Sequence, residues 1–368
     1  MIELSKIPKI IDHTNLKSET EDGIRKTCQE AKQYGFRGVC VFPKWTKLVS
    51  EELKDTGIKV VILIDPPIGD SPTEKKIEES LRVKEDGASE IDVVMNIPLF
   101  KHEKFDQVLE DLKQITKILP TKVIIGSGLD DYPELWERLS RLGNLCGNDP
   151  KILARVRDRP FLYEKAEEIG LKHPSIWSVT SEQALEKYKG DIDLPLVVKA
   201  ARGGGGTHTK LCKTWEEVTR TVKDYLEVAP TCYLLEYIAG TPASVSIIAN
   251  QEGCKVVAWN QQLIGCSFAA APTPFTYVGN LTPLKIPKQI EPIIRRKFES
   301  LGHQLQLRGN NGFDFILTNK NEIYLLELNP RIQGSLEPIE LATQQSLIQM
   351  HLDAFTGKLP LSLSLIHI

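Results

Sequence analysis

Several common features are missing from this sequence, and each absence narrows what the chain can be. Its seven cysteines, at positions 28, 40, 146, 212, 232, 254 and 266, are an odd number without a C-x-x-C pair. Neither a disulfide framework nor a thiolate zinc site is indicated, and a reducing cytoplasm is the expected compartment. No apolar run approaches the roughly 18 residues of a membrane span, and the opening MIELSKIPKIIDHT lacks the apolar stretch of a signal peptide. Charge of one sign is also lacking: 46 basic and 49 acidic residues leave a net charge of -3. That gives no electrostatic case for nucleic acid or an anionic membrane, so the expected partner is a small molecule.

The familiar nucleotide fingerprints are absent too. Gly126-Ser127-Gly128 would need glycine at 131 to complete G-x-G-x-x-G, and the residue there is Asp131. The pattern G-x-x-x-x-G-K-[ST] is not met, because the lysine nearest a glycine run, Lys199, precedes it.

At 368 residues the chain exceeds the usual size of one hydrophobic core, so two or three units are expected. In residues 1–125 short apolar runs alternate with helical blocks. Strands are expected at 38–42, 59–64, 90–95 and 122–125, and helices at 19–34, 44–55, 73–85 and 105–118. This alternation predicts βα units around a parallel sheet, a partial barrel. Chemistry in such folds sits at the carboxyl ends of strands, which makes Asp12, Thr14, Cys40 and Asp92 the candidates. Taken singly, Asp12 or Asp92 reads as a cap or a strand-end hydrogen bond.

Taken together they carry a resemblance. Asp12-His13-Thr14, Val39-Cys40-Val41-x-Pro43, Pro67-Ile68-Gly69 with Thr73-Glu74-x-Lys76, and Gly87-Ala88-x-Glu90-Ile91-Asp92 resemble, in order and spacing, the deoxyribose-phosphate aldolase family. The resemblance implies a TIM-barrel segment whose relatives form a Schiff base between a lysine and an aldehyde, with Asp92 at an acid that assists proton transfer. The lysines of that chemistry belong to later strands, in a Lys-Thr-Ser-Thr-Gly context that this sequence does not contain. Asp12, Cys40 and Asp92 are therefore expected to be a vestigial aldolase site in half a barrel, without lyase activity.

Beyond residue 125 the grammar changes. Pro133 opens a helical block to Leu142, and 155–169 reads as another helix, with Gly170 as its cap. The run Leu194-Pro195-Leu196-Val197-Val198-Lys199 delivers a lysine at the end of a buried strand. Gly203, Gly204, Gly205 and Gly206 follow, a loop whose backbone N–H groups can approach a phosphate while the ammonium supplies charge. His208 reads as a loop residue. Strands at 233–240, 244–249 and 255–260 with glycine turns predict antiparallel hairpins. A helix is expected at 292–305, where Arg295 and Arg296 read as surface cations rather than substrate ligands.

Asp314 and Glu327 lie on two strands joined by the turn 318–321, so a hairpin can bring both acids together with Asn329. Three oxygen ligands suit a magnesium ion that completes its shell with water and phosphate. The bland alternative pairs Glu327 with Arg331 on a solvated edge.

In this order, the strand-end lysine, the glycine loop, the hinge strand and Glu327-Leu328-Asn329-Pro330-Arg331 resemble the ATP-grasp superfamily, with a carboligase-like character, over residues 126–358. The resemblance implies that ATP and Mg2+ are the cofactors. It puts Lys199 and Gly203 to Gly206 at the ATP phosphates, and Arg159 where many members carry a first lysine. Glu236, with the backbone of Tyr237 and Ile238, would hold the adenine edge. Asp314, Glu327 and Asn329 would bind magnesium, and Arg331 would stabilise the transferred phosphoryl group. The implied activity is phosphorylation of a small-molecule carboxylate to an acyl phosphate, which an amine or similar nucleophile then attacks. Two other readings stand beside it: a Schiff-base lyase, and an ATP-binding remnant without catalysis.

The fold class expected is α/β plus α+β, a parallel half-barrel over 1–125 followed by an ATP-grasp fold of antiparallel sheets and helices over 126–358. Residues 359–368 are expected to be a non-native tail. Leu363-Ser364-Leu365-Ile366-His367-Ile368 matches one reading frame of the transposon-end adapter CTGTCTCTTATACACATC. The two segments are expected to be either a natural fusion or an assembly chimera.

Overall fold

The computed structural model describes residues 11–118, 123–124, 133–140 and 145–360. The expected loop at Gly126-Ser127-Gly128 and the adapter-like residues 363–368 lie outside them. The described residues form two compact units, one over 11–118 and one over 123–124, 133–140 and 145–360.

The first unit is a parallel sheet of β1 (Asp12–Asn15), β2 (Gly38–Val41), β3 (Lys59–Ile64) and β4 (Glu90–Val93) in that order. Helix Glu21–Tyr34 shows why the connections are helical. The Thr20 hydroxyl accepts from Gly23 N, two acids occupy the first turn, and Gly35 ends the helix at φ 68°. Its apolar stripe, Ile24, Cys28 and Ala31, packs on Val39, Val41, Val60, Ile62 and Ile64. The helix expected over 44–55 is a 3-10 turn, Pro43–Trp45, followed by Thr46–Glu52. Two ionic clusters tie the unit together. Arg37 clasps Asp12 (2.7 and 2.8 Å) and Glu90 (2.7 Å). Lys76, 1% exposed, donates to Asp111 at 2.8 Å.

The strand expected at 122–125 is present, but not in the first unit's sheet. Val123–Ile124 (β5) pairs in parallel with Leu145–Cys146 (β6) and belongs to the second unit. Alternation marks a strand but not its partner, and this partner lies after the change in grammar.

The second unit carries two larger antiparallel sheets. In one, β7 (Ile176–Val179), β8 (Leu196–Ala200), β9 (Thr209–Cys212) and β10 (Cys232–Glu236) run in the order β7-β10-β8-β9. Val218 and Val222 of helix Trp215–Leu226 cover Val198, Cys212 and Leu234. In the other, β11 (Thr241–Ala249), β12 (Cys254–Ile264), β13 (Tyr277–Leu281), β14 (Gly309–Leu317) and β15 (Ile323–Asn329) run in the order β13-β12-β11-β14-β15. The core packs Phe298 and Leu301 of helix Glu291–Gln304 against Trp259, Phe313 and Phe315. Because strand side chains alternate, burying Phe313 and Phe315 turns Asp314, between them, to the opposite face.

The single helix expected over 155–169 is two helices, Pro150–Val156 and Arg159–Glu168. Asp158 takes an extended backbone at the second start and Pro160 follows in the first turn, a geometry that begins a helix rather than continuing one. That break puts Arg159 at a helix start.

Candidate nucleotide site

The two antiparallel sheets of the second unit enclose a cavity of about 1160 Å³. Its residues come from separate elements, each fixed by local sequence. Lys199 is the fourth residue of β8, flanked by the buried Val198 and Ala200. Asp314 and Glu327 are direct partners across the β14–β15 ladder, beside an irregularity after Asp314.

Glu327 is the hub. Its Oε2 accepts from Lys199 Nζ at 2.5 Å and from an Arg159 terminal nitrogen at 2.7 Å. Arg159 is 8% exposed and lies over the Tyr233 ring, 5.2 Å from its centroid. The bland pairing of Glu327 with Arg331 gives way to this double clasp. Asn329 Nδ2 donates to Asp314 Oδ2 at 3.0 Å, while Asn329 Oδ1 accepts from Arg331 at 3.3 Å. The residues singled out in the sequence thus form two bonded clusters, Lys199–Glu327–Arg159 and Asp314–Asn329–Arg331, set side by side by the pairing of Asp314 with Glu327.

Its electrostatics follow from burial. Burial first, and then the Glu327 charge beside it, push the Asp314 carboxyl above the usual carboxylate range, against the opposing hydrogen bonds from Asn329 and Gln262. Burial alone would raise Glu327 as well, but Lys199 and Arg159 hold it below its usual range. Burial lowers Lys199 against the opposing pull of Glu327. Two half-buried carboxylates on adjacent strands fit a hard divalent cation that would neutralise both. No cluster of three or more His, Cys, Asp and Glu residues suited to a metal occurs among the described residues. Two carboxylates and the Asn329 amide are the oxygen donors that could hold such a cation, with water and phosphate oxygens to complete its shell.

The glycine loop borders the same cavity. Gly203, Gly205 and Gly206 have φ of 118°, 62° and 84°. A Cβ on Gly206 would sit 1.8 Å from the Phe275 carbonyl oxygen, so the loop lies directly on the backbone before β13. Gly205 O accepts from Tyr277 N at 3.2 Å. His208 is a loop residue at φ 51° whose ring meets Tyr225 edge-on.

On the far wall, Glu236 ends β10 and accepts from Ser175 N at 3.2 Å and Ser175 Oγ at 3.1 Å. Tyr237 and Ile238 follow it along the cavity. Arg295 bonds Glu291 and the Val256 carbonyl, and neither it nor Arg296 lines the cavity.

Sequence reasoning missed Arg157, Gln262, Tyr277 and Gln333, all cavity-lining. Gln262 hydrogen-bonds Asp314, and the raised Tyr277 hydroxyl feels burial first, then Asp314 and Arg331. Only Gln333, two residues past Arg331, had a positional signal.

In the first unit, Cys40 and Asp92 are the third residues of β2 and β4, and both are raised by burial, with Asp92 adding to Cys40. Asp12 corrects the expectation of a strand-end position. It opens β1 and is committed to Arg37, because the parallel register puts it level with Gly38 beside that arginine.

Residues 156–335 match the ATP-grasp domain family. Among solved structures, the biotin carboxylase of Campylobacter jejuni in its β-γ-ATP complex has a TM-score of 0.66 at 15% identity, covering 89% of this chain and 73% of that one. The L-amino acid ligase of Bacillus licheniformis has a TM-score of 0.59 at 15% identity, covering 88% and 77%. The amino-terminal region matches the deoxyribose-phosphate aldolase of Mycoplasmopsis pulmonis, 40% identical over 134 residues, which is 35% of this chain. The chain spans 61% of that relative's length.

Proposed function

We propose that this chain, which carries an ATP-grasp domain at residues 156–335, binds Mg-ATP in the second unit's cavity and uses it to activate a carboxylate for ligation. The observation that carries the reading is the juxtaposition, beside a glycine loop, of Glu327 clasped by Lys199 and Arg159 with its strand partner Asp314, which accepts from Asn329. Lys199 and the backbone of Gly203 to Gly206 hold the phosphates, and Glu236, Tyr237 and Ile238 border the adenine. Asp314, Glu327 and Asn329 hold magnesium, which supplies neutralisation of phosphate charge when bound.

A carboxylate oxygen attacks the γ-phosphorus, the bond from that phosphorus to the β-bridging oxygen breaks, and ADP leaves. Arg331 and Lys199 stabilise charge on the transferred group. An amine then attacks the acyl carbon, inorganic phosphate leaves and the amine proton passes to solvent. Alignment and charge neutralisation suffice, so no protein nucleophile is required.

The relation of the first unit to aldolases favours a second reading, Schiff-base lyase activity. Lys76, the lysine within the aldolase-like motifs, is 1% exposed and bonded to Asp111, an environment that argues against it as the nucleophile. Borohydride trapping with an aldehyde separates the two: labelled lysine supports the lyase, and none ends it. Calorimetric titration with ATP, with and without magnesium, tests the ligase reading, followed by phosphate release across carboxylates.

A further inference from the structure

We propose that the β12–β13 end of this cavity is the acceptor subsite and that it takes a carboxylic acid whose body is uncharged and partly apolar. The inference rests on the nucleotide reading above and names the substrate class for the same site.

The cavity exceeds the roughly 300–1,000 Å³ that encloses one drug-sized ligand, so at about 1160 Å³ it has room for a second molecule. Its floor is the β13-β12-β11-β14-β15 sheet. The proposed metal groups and Arg331 lie at one end of it, on β14, β15 and the residues just after. Three strand spacings separate β14 from β13, which is about 14 Å at ~4.8 Å per strand. The glycine loop crosses that far end, with Gly205 O accepting from Tyr277 N and Gly206 against Phe275, while Gln262 reaches back to Asp314, so the β12–β13 end borders the phosphate groups directly.

Charge is partitioned along this floor. The charged residues that line the cavity belong to the start of helix Arg159–Glu168, with Arg157 and Arg159, and to β8, β9, β10, β14, β15 and their flanks, including Lys199, Lys210, Asp314 and Arg331. None comes from β11, β12, β13 or the loop 265–276. Residues 256–284 contain no Asp, Glu, Lys, Arg or His, although 26% of the chain is Asp, Glu, Lys or Arg. Core burial accounts for this only over 256–260, where the strand is closed off from solvent. From Gln262 to Leu281 the chain is half-buried or exposed, and Phe268 is 80% exposed. Such a surface would ordinarily carry charge.

The lining side chains of β12 and β13 are Gln262, Ile264, Tyr277 and Asn280, joined by Pro272, Thr273, Pro274 and Phe275 of the loop between them. Asn280 Nδ2 donates to the Tyr277 hydroxyl, and its buried Oδ1 has no partner among the described residues. Whichever way that amide is turned, one polar atom is left for a ligand. A phosphorylated or polycarboxylate body would find no cation on β11, β12, β13 or the loop 265–276, since Arg331, whose charge reaches Tyr277, serves the reacting carboxylate. A neutral body places its apolar part on Ile264 and Pro274, one hydrogen-bonding group at Asn280 and its carboxylate toward Arg331.

The test supplies Mg-ATP and hydroxylamine, which converts any acyl phosphate to a hydroxamate, to the full chain with two sets of acids. One set is hexanoate, phenylacetate and 3-phenylpropanoate; the other is glutarate, citrate and 3-phosphoglycerate. The neutral-bodied set should yield hydroxamate at least tenfold faster at equal concentration. Ile264→Lys should cut that ratio at least tenfold, and Asn280→Leu should raise KM for the best neutral acid. The ratio is read within one preparation, so partial misfolding cancels. Equal or better use of the anionic set, no hydroxamate from any neutral acid despite magnesium-dependent ATP binding, or a ratio unmoved by Ile264→Lys overturns the proposal. Loss of ATP binding itself overturns the underlying nucleotide reading and is seen separately by calorimetry.

Discussion

Lys199 Nζ lies 2.5 Å from Glu327 Oε2, so the ammonium assigned to the ATP phosphates and the carboxylate assigned to the metal hold each other. A triphosphate and a divalent cation would compete for both partners at once. Binding of the two is therefore expected to be coupled: each should raise affinity for the other, because each releases the partner the other needs.

Lys199→Ala should weaken ATP binding at least tenfold and lower stability. Breaking a fully buried pair costs ~3–5 kcal/mol. Side-chain exposures of 17% and 27%, and the remaining Arg159, put this loss lower, at about 1–3 kcal/mol. Denaturant unfolding and calorimetric titration of the same variant check both numbers.

Asp314→Asn should separate stability from function. The folded state raises this carboxyl above its ordinary 3.8, so across the window from there upward the folded chain holds more protons than the unfolded one. Stability consequently falls as pH rises through that window. Glu327, lowered, acts in the opposite sense: its contribution is present above the ordinary value and is lost as pH falls. Asn at 314 should abolish the decline, raise Tm at pH 8 and remove the effect of magnesium on ATP affinity. A Tm profile parallel to that of wild type from pH 4 to 8 contradicts this.

Gly206→Ala tests the loop. A Cβ would collide with the Phe275 carbonyl at 1.8 Å, and the φ of 84° strains any other residue by ~1–3 kcal/mol. ATP affinity should fall at least tenfold. Gly204→Ala, where a Cβ meets nothing within 4 Å, should change it less than threefold.

The first unit's own stability rests on a different pair. Lys76→Ala leaves Asp111, with a side chain 7% exposed, charged and alone, a loss of ~3–5 kcal/mol. Circular dichroism should show an early unfolding step, while ATP affinity stays within twofold of wild type. Equal loss of both would mean the units fold as one.

Much of the site could be read from the chain because its chemistry is local. A lysine at a strand end before four glycines, and an acid, amide and arginine spaced by two, keep their meaning wherever the sheet lies. Long-range features were harder to read. That Val123–Ile124 pairs with Leu145–Cys146 depends on a partner past the change in grammar. The role of Gln262 depends on β12 lying two strands from β14, which no local pattern specifies. Asp12 was legible as a motif residue, but its commitment to Arg37, 25 positions away, follows from parallel register. The helix break at Asp158 carried a signal in Pro160, which the reading of 155–169 as one continuous helix passed over.

The most direct measurement is calorimetric titration of the full chain with ATP, with and without magnesium, for wild type, Lys199→Ala and Glu327→Ala. A magnesium-dependent affinity in wild type, reduced at least tenfold in both variants, is the predicted result. Unchanged ATP affinity in both variants, or binding indifferent to magnesium, contradicts the account.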